Sequence, residues 1–438
     1  MFVTPNLKQF RVEMGADNIV HLIFDMPHRS MNVFSNAAIH DLKIFAAAVK
    51  NSAARGVVVR SGKKSAFCAG ADLGELGQAY DMIMAAPEAQ RFELAFHHFF
   101  PLSQAIRALE TCGKPVAAAV AGLALGGGCE LALGAHYRVA TDSEETAFGL
   151  PESLVGLLPG AGGTQRLARV IGLDLALPVL LNGRRLSSAQ ALAVGLVQEI
   201  VKEGEEVDAA EAWILATKRT QQPWDMPNWV PGDLAKLDPV ILSYRSRVLK
   251  ETLGHYPAPL AILECVERGF GQPIEMALRT EMQIFANLIQ RPEPRDMIAT
   301  MFVAKTDYER RRKTGNLPSI VDDLARNIAS LWLGSGESEK SQALASAGFS
   351  IPGIHESVPD DGMLHNGYWF DREPDDERKM VVRETLERIM TVAERYAGEA
   401  VGVTSLVDYA AVTKFGFPAY LGGPFALRNS RRLLKQAG

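Results

Sequence analysis

The chain is predicted to be an α/β protein whose second part is wholly helical. Three observations carry this expectation. Short runs of branched apolar residues alternate with helical spacing in the first half. The strand signal fades from about residue 205, and apolar residues then recur at helical intervals in successive blocks.

The first strand is expected at Ile19-Val-His-Leu-Ile-Phe24 and the second at 57–60, each bounded by turn formers. Between them Ser35 can cap a helix whose Ile39, Leu42, Phe45, Ala46 and Val49 share one face. A third strand, 116–120, follows Pro115, and a helix should begin inside the turn 126–130. Helical spacing continues through 239–249, 260–268, 273–289 and 296–312, after a turn-rich connector at 221–232. Thr314-Gly-Asn-Leu-Pro318 marks a further boundary, and helices are expected at 320–333, 384–396 and 406–413 with a loop over 350–377.

With 438 residues and 47% hydrophobic content the chain can bury a large core, and its length suggests two or three domains. A formal charge of −5 gives no electrostatic reason to expect nucleic acid. The basic clusters 310–313 and 428–435 read as solvated helix ends, with attraction of a phosphorylated cofactor as the alternative. Four scattered cysteines lack metal or redox spacing, which points to a reducing compartment. No leader opens the sequence, no peroxisomal tripeptide closes it, and the longest uncharged run is too short and glycine-rich to span a bilayer. Cytoplasmic residence without a membrane span is therefore expected.

The chemistry concentrates in Gly122-Leu-Ala-Leu-Gly-Gly-Gly-Cys-Glu130, Phe148-Gly-Leu-Pro-Glu152 and Leu158-Pro-Gly-Ala-Gly-Gly-Thr-Gln-Arg166. Glycines let backbone N–H groups approach an oxygen closely, while Glu130 and Glu152 offer acid and base. The bland alternative makes Glu130 a first-turn acid suited to the helix dipole and Glu152 a surface residue. Other chemistries lack their patterns. His97 and His98 are adjacent, no His-Glu-x-x-His or Gly-x-Ser-x-Gly is present, and Cys129 reads as a small core residue.

Together with Ala66-Phe-Cys-Ala-Gly-Ala-Asp-Leu73 and Ala191-Leu-Ala-Val-Gly-Leu-Val197, these segments resemble the crotonase, or enoyl-CoA hydratase/isomerase, superfamily over residues 1–205. The resemblance implies a crotonase-type ββα spiral core, a helical linker at 206–313 and a helical domain at 314–438. It also implies an oxyanion hole formed by the N–H groups of Ala71 and Gly127, catalysis by Glu130 and Glu152, and CoA contacts at Ala69, Leu73 and Arg29. Asp72 is expected to fix the loop. The expected reaction is hydration of trans-2-enoyl-CoA to 3-hydroxyacyl-CoA in acyl-CoA catabolism, with Glu130 activating water and Glu152 delivering a proton. The alternatives are a 3-enoyl to 2-enoyl isomerase, other CoA-thioester chemistry, or a non-catalytic subunit that organises a partner such as a thiolase. Two departures stand out: extra residues within 142–146, and Leu150 where hydratases often carry a polar residue.

The second half resembles the fatty-acid oxidation multifunctional enzymes, in which such a domain is fused to a 3-hydroxyacyl-CoA dehydrogenase. Tyr256-Pro-Ala-Pro259 and Glu281-Met-Gln-Ile-Phe285 are similar to their linker helices, and 406–425 to their terminal helical module. Gly367-Tyr-Trp-Phe370 is faintly similar to the turn before it. A dinucleotide site needs Gly-x-Gly-x-x-Gly between strand and helix, and Gly334-Ser-Gly-Glu-Ser-Glu-Lys340 does not supply it. Neither NAD, a dehydrogenase activity nor a metal is expected, and CoA enters only as part of the substrate. Homo-oligomerisation is a further expectation, since family domains assemble through terminal helices.

Overall fold

A computed structural model describes residues 2–333, 339–350 and 376–437. The segments Gly334-Ser-Gly-Glu-Ser338 and Gly367-Tyr-Trp-Phe370, and most of the loop expected over 350–377, lie outside the described residues. The chain forms two compact units. Unit 1 comprises residues 1–153, 158–241 and 261–290; unit 2 comprises 154–157, 242–260 and 291–438. The interval 206–313 contributes to both.

Unit 1 holds a six-stranded sheet in the order β1 (Phe10–Met14), β2 (Ile19–Phe24), β3 (Gly56–Ser61), β5 (Val116–Val120), β7 (Tyr137–Thr141) and β10 (Glu199–Val201). Only β1 pairs antiparallel, through Phe10 opposite Phe24 and Met14 opposite Val20; the other neighbours are parallel. Every residue of β2, β5 and β7 is buried, as expected for parallel strands covered on both faces. A second sheet joins β4 (Ala66–Cys68), β6 (Leu123–Leu125), β8 (Ala147–Gly149) and β9 (Leu186–Ser187). These strands of two or three residues carry the glycine turns of the site.

Helix α1 (Asn36–Lys50) starts at Ser35, whose hydroxyl accepts from Ala38 N at 3.2 Å, and buries Leu42, Phe45, Ala46 and Val49. α2 (Leu73–Ala85) and α3 (Glu88–Glu110) follow β4, α4 (Gly127–Gly134) follows β6, and α5 (Gly163–Ile171) and α6 (Leu173–Asn182) come next. α7 (Ser188–Ala193) begins in a capping box of Ser187 and Gln190, and α8 (Glu206–Ala216) buries Ala210 and Ile214 in a core with Ile19, Val58, Ala117 and Val139. No strand follows β10 among the described residues; α9 (Leu237–Thr252), α10 (Pro257–Gly269) and α11 (Ile274–Leu288) succeed it. α11 packs on α3 and α5, with Phe285 edge-on to Phe99 at 5.0 Å.

In unit 2 the helix expected over 296–312 is interrupted. α12 (Pro292–Ile298) passes into a π-helical segment, Ala299–Ala304, before α13 (Lys305–Lys313). One added residue in a turn is invisible to a 3.6-residue pattern, so the sequence reads as continuous. α14 (Ile320–Ala329), α15 (Glu339–Ser346), α16 (Glu377–Tyr396), α17 (Thr404–Phe415) and α18 (Pro424–Ala437) complete the unit. They share a core around Trp332, whose ring lies 5.5 Å from both Phe349 and Phe417. Its indole N–H donates to Phe415 O at 2.8 Å, so burial leaves no polar group unpaired there.

Candidate functional site

The turn after β4 is built by a buried asparagine. Asn32 Nδ2 donates to Phe24 O at 2.8 Å and to Phe67 O at 3.2 Å, while its Oδ1 accepts from Met26 N at 3.0 Å. Ala69 N then donates to Asn32 O at 2.9 Å. Gly70 takes φ +111°, open to glycine. Phe34 N donates to Gly70 O at 2.8 Å, and Asp72 N donates to Phe34 O at 2.9 Å. This is a parallel bridge centred on Ala71. In such a bridge the central residue keeps its own N–H off the ladder, so the exposed Ala71 has a donor to spare.

Asp72 caps α2, accepting from Gly74 N at 2.9 Å and Glu75 N at 3.3 Å. Its second oxygen accepts from Arg29 Nη2 at 2.7 Å, with the Arg29 side chain 55% exposed. Leu73 is half-buried at the first position of α2.

The turn after β6 meets this one. Gly126, at φ +53°, donates its N–H to Gly149 O at 2.9 Å and leads into α4. A Cβ on Gly126 would stand 3.4 Å from Gly70 Cα and 2.8 Å from Glu152 Oε1. Any side chain there would displace the carboxylate. Gly127 opens α4, and a first-turn N–H has no acceptor inside its own helix. The spare donors at 71 and 127 therefore lie on two touching turns, beside Glu152.

Glu130 sits in the first turn of α4 and is 2% exposed. Its Oε1 accepts from Ala161 N at 2.7 Å and Gly163 N at 2.8 Å. Gly163 has no side chain because one would meet that oxygen at 2.9 Å. Glu152 opens the 3-10 turn Glu152–Val155. Its Oε2 is buried and has no hydrogen-bond partner among the described residues.

Burial raises the Glu130 carboxyl to about 7, opposed by the two N–H donors and by Arg166. Glu152 rises well above the carboxylate range through burial first, and then through the charges of Glu130 and Glu281. The two acids thus differ in kind: Glu130 holds two donors that favour its anion, whereas burial and neighbouring charge favour the protonated form of Glu152. Burial and both acids push the Cys129 thiol up, consistent with a core residue rather than a nucleophile.

Three residues of this neighbourhood escaped the sequence reading. Glu281, on α11, is fully buried; its Oε1 accepts from Gly162 N at 2.6 Å and its Oε2 from Thr164 N at 3.0 Å and from the Thr164 hydroxyl. Burial, with the charge of Glu130, raises it to about 8. Glu110, ending α3, accepts from Arg166 Nη2 at 2.8 Å, while Arg166 Nη1 donates to Ala161 O at 2.9 Å. Asn32 is the third. The signal available for Glu281 was an acid on the apolar face of its helix, one turn from both Ala277 and Phe285. His97 is exposed and His98 half-buried. Among the described residues no cluster of His, Cys, Asp or Glu could hold a metal ion, and no helix is long and apolar enough to cross a membrane.

Two mostly parallel sheets with two touching glycine turns, a buried Glu130 and a half-buried Glu152 define a crotonase-type α/β domain. The chain matches the family described as enoyl-CoA hydratase/isomerase over residues 15–224, just under half of its length, which places this domain in that family. It is 35% identical over 313 residues to the fatty acid oxidation complex subunit alpha of Shewanella amazonensis, covering 70% of this chain and 43% of that protein. It is 32% identical over 397 residues to the protein of the same description from Shewanella loihica, covering 89% of this chain and 54% of that one. The chain thus spans about half the length of the curated relatives it matches. A crystal structure of enoyl-CoA hydratase from Bacillus anthracis aligns with TM-score 0.42 at 24% identity, covering 67% of this chain and 96% of that one.

Proposed function

We propose that this protein hydrates trans-2-enoyl-CoA thioesters to 3-hydroxyacyl-CoA. The observation that carries the reading is the unequal pair: a Glu130 carboxylate held by two backbone donors beside a Glu152 carboxyl that holds its proton and has a free buried oxygen. Two neighbouring acids pushed apart in proton affinity can act as base and acid in one step. Glu130 takes a proton from water as its oxygen adds to C3, Glu152 gives its proton to C2, and the N–H groups of Ala71 and Gly127 stabilise the thioester oxygen as it gains charge. The addition is redox-neutral and consumes neither metal nor nicotinamide.

The likeness to fatty acid oxidation complex subunits supports acyl-CoA catabolism as the setting, and a β-oxidation enzyme such as a thiolase as partner. Ala69 and Leu73 line the turn that would hold the CoA arm, and Arg29 stands at its exposed rim.

The test is turnover of trans-2-enoyl-CoA by the full chain. Glu152→Gln should lower kcat by roughly 100- to 10,000-fold, the range for general acid–base groups, while calorimetric CoA-thioester binding persists. Equal turnover by variant and wild type would remove Glu152 from the mechanism, and no turnover by either would assign the domain to a non-catalytic role. Turnover of 3-enoyl-CoA to the 2-enoyl isomer, with no hydration, would favour the isomerase.

A further inference from the structure

The four consecutive amides of the turn 161–164 are shared between two acids in strict alternation. Ala161 and Gly163 donate to Glu130, while Gly162 and Thr164 donate to Glu281. Neither acid alone holds the turn. The helix bearing Glu281 is pressed against it: a Cβ on Gly160 would meet the Phe285 ring at 3.1 Å, and one on Gly162 would meet Leu278 at 2.7 Å. Glu281 also lies beyond residue 224, where the family segment ends.

We propose that Glu281 is a positioning residue of the hydration site, holding the turn 161–164 in the register that aims Glu130 at the substrate water. It rests on the hydration reading above. Glu281 touches neither substrate nor the reacting atoms and acts through the turn. Backbone N–H groups have one direction each, so the two that orient Glu130 stay aligned only while their neighbours point oppositely toward Glu281. Once ionised, Glu281 also disfavours the Glu152 anion through a buried interior, where screening is weak. The groups facing Glu281 are Glu130 of α4, Glu152, Thr164, Arg166 and Arg169 of α5, and Cys265 of α10.

Glu281→Gln in the full chain tests this. The amide keeps the shape but loses the charge and one acceptor. The expected result is a fall in kcat of about tenfold or more, equivalent to about 1.4 kcal/mol of transition-state stabilisation, with KM within about twofold. The upper, Glu152-dependent limb of the kcat profile should move to lower pH, since a removed negative neighbour lets that carboxyl release its proton earlier. A lowered melting temperature with unchanged kcat and an unmoved limb would leave Glu281 a structural residue only and overturn the proposal. Should Glu281→Gln not fold, Thr164→Val removes one donor from the same carboxylate; a smaller kcat loss at constant KM supports the idea, and wild-type kcat refutes it. NMR titration of glutamate carboxyl carbons separates the two readings. An earlier Glu152 titration in Glu281→Gln supports the coupling even if no enoyl-CoA is hydrated, whereas an unchanged titration removes it even in an active hydratase.

Discussion

Unit 2 buries Asp408 and gives both its oxygens away: Oδ1 accepts from Phe425 N at 2.7 Å and Oδ2 from Ala426 N at 3.0 Å, at the start of α18. Unit 1 buries Glu152 Oε2 and gives it no partner among the described residues. Burial raises the proton affinity of both acids, so neither burial nor a shifted titration separates a helix cap from a reactive group. The separation lies in which oxygens are already committed to backbone. An acid whose lone pairs are all used stabilises the fold, and one with a hidden, unpartnered oxygen carries a cost that only a ligand relieves.

The comparison can be broken most severely at the oxyanion turn. Ala71→Pro removes one N–H that the Phe34 bridge does not use, so turnover should fall by about 100- to 1,000-fold while the far-ultraviolet dichroism spectrum is retained; undiminished kcat would mean that this donor is not employed. Next in size, Asp408→Ala orphans two buried donors of α18 and should cost about 1 to 3 kcal/mol in urea unfolding. Asp408→Asn, which keeps one acceptor, should cost less, and a neutral Asp408→Ala would deny the cap. The smallest effect is a slope. Carboxyls whose affinity is raised on folding bind more protons in the native than in the unfolded state, so stability must fall as pH rises from the usual 4.5 through about 7 for Glu130 and about 8 for Glu281. Urea midpoints measured across that window should decline with pH, and less steeply in Glu281→Gln; a rising or flat wild-type curve contradicts the buried-acid geometry.

Much of unit 1 was legible. β2 and β5 are wholly buried parallel strands and therefore read as unbroken apolar runs, and α1 announced itself through Ser35 and one apolar stripe. The three-residue strands β4, β6 and β8 were not legible as strands, being too short to show any period; only their glycine turns stood out. α3 was missed because Pro101 sits inside its 23 residues and its apolar face is weak. The turns carrying Ala71 and Gly127 and the acids Glu130 and Glu152 came through motif resemblance, and the structure gathers them. Glu281 stood out only as part of a linker-like segment and not as a member of the site, since its partners are amides that lie 117 and 119 positions earlier in the chain. Arg29, expected as a CoA contact, has its guanidinium against Asp72 at the surface.

The alternating grip on 161–164 also bears on how this stretch can vary. Its glycines are fixed by the close approach of Phe285, Leu278 and Glu130, and inserting or deleting a single amino acid between Leu158 and Thr164 would offer Glu130 the donors meant for Glu281 and the reverse. Length in this stretch is thus held as tightly as composition, much as a zip jams on a missing tooth.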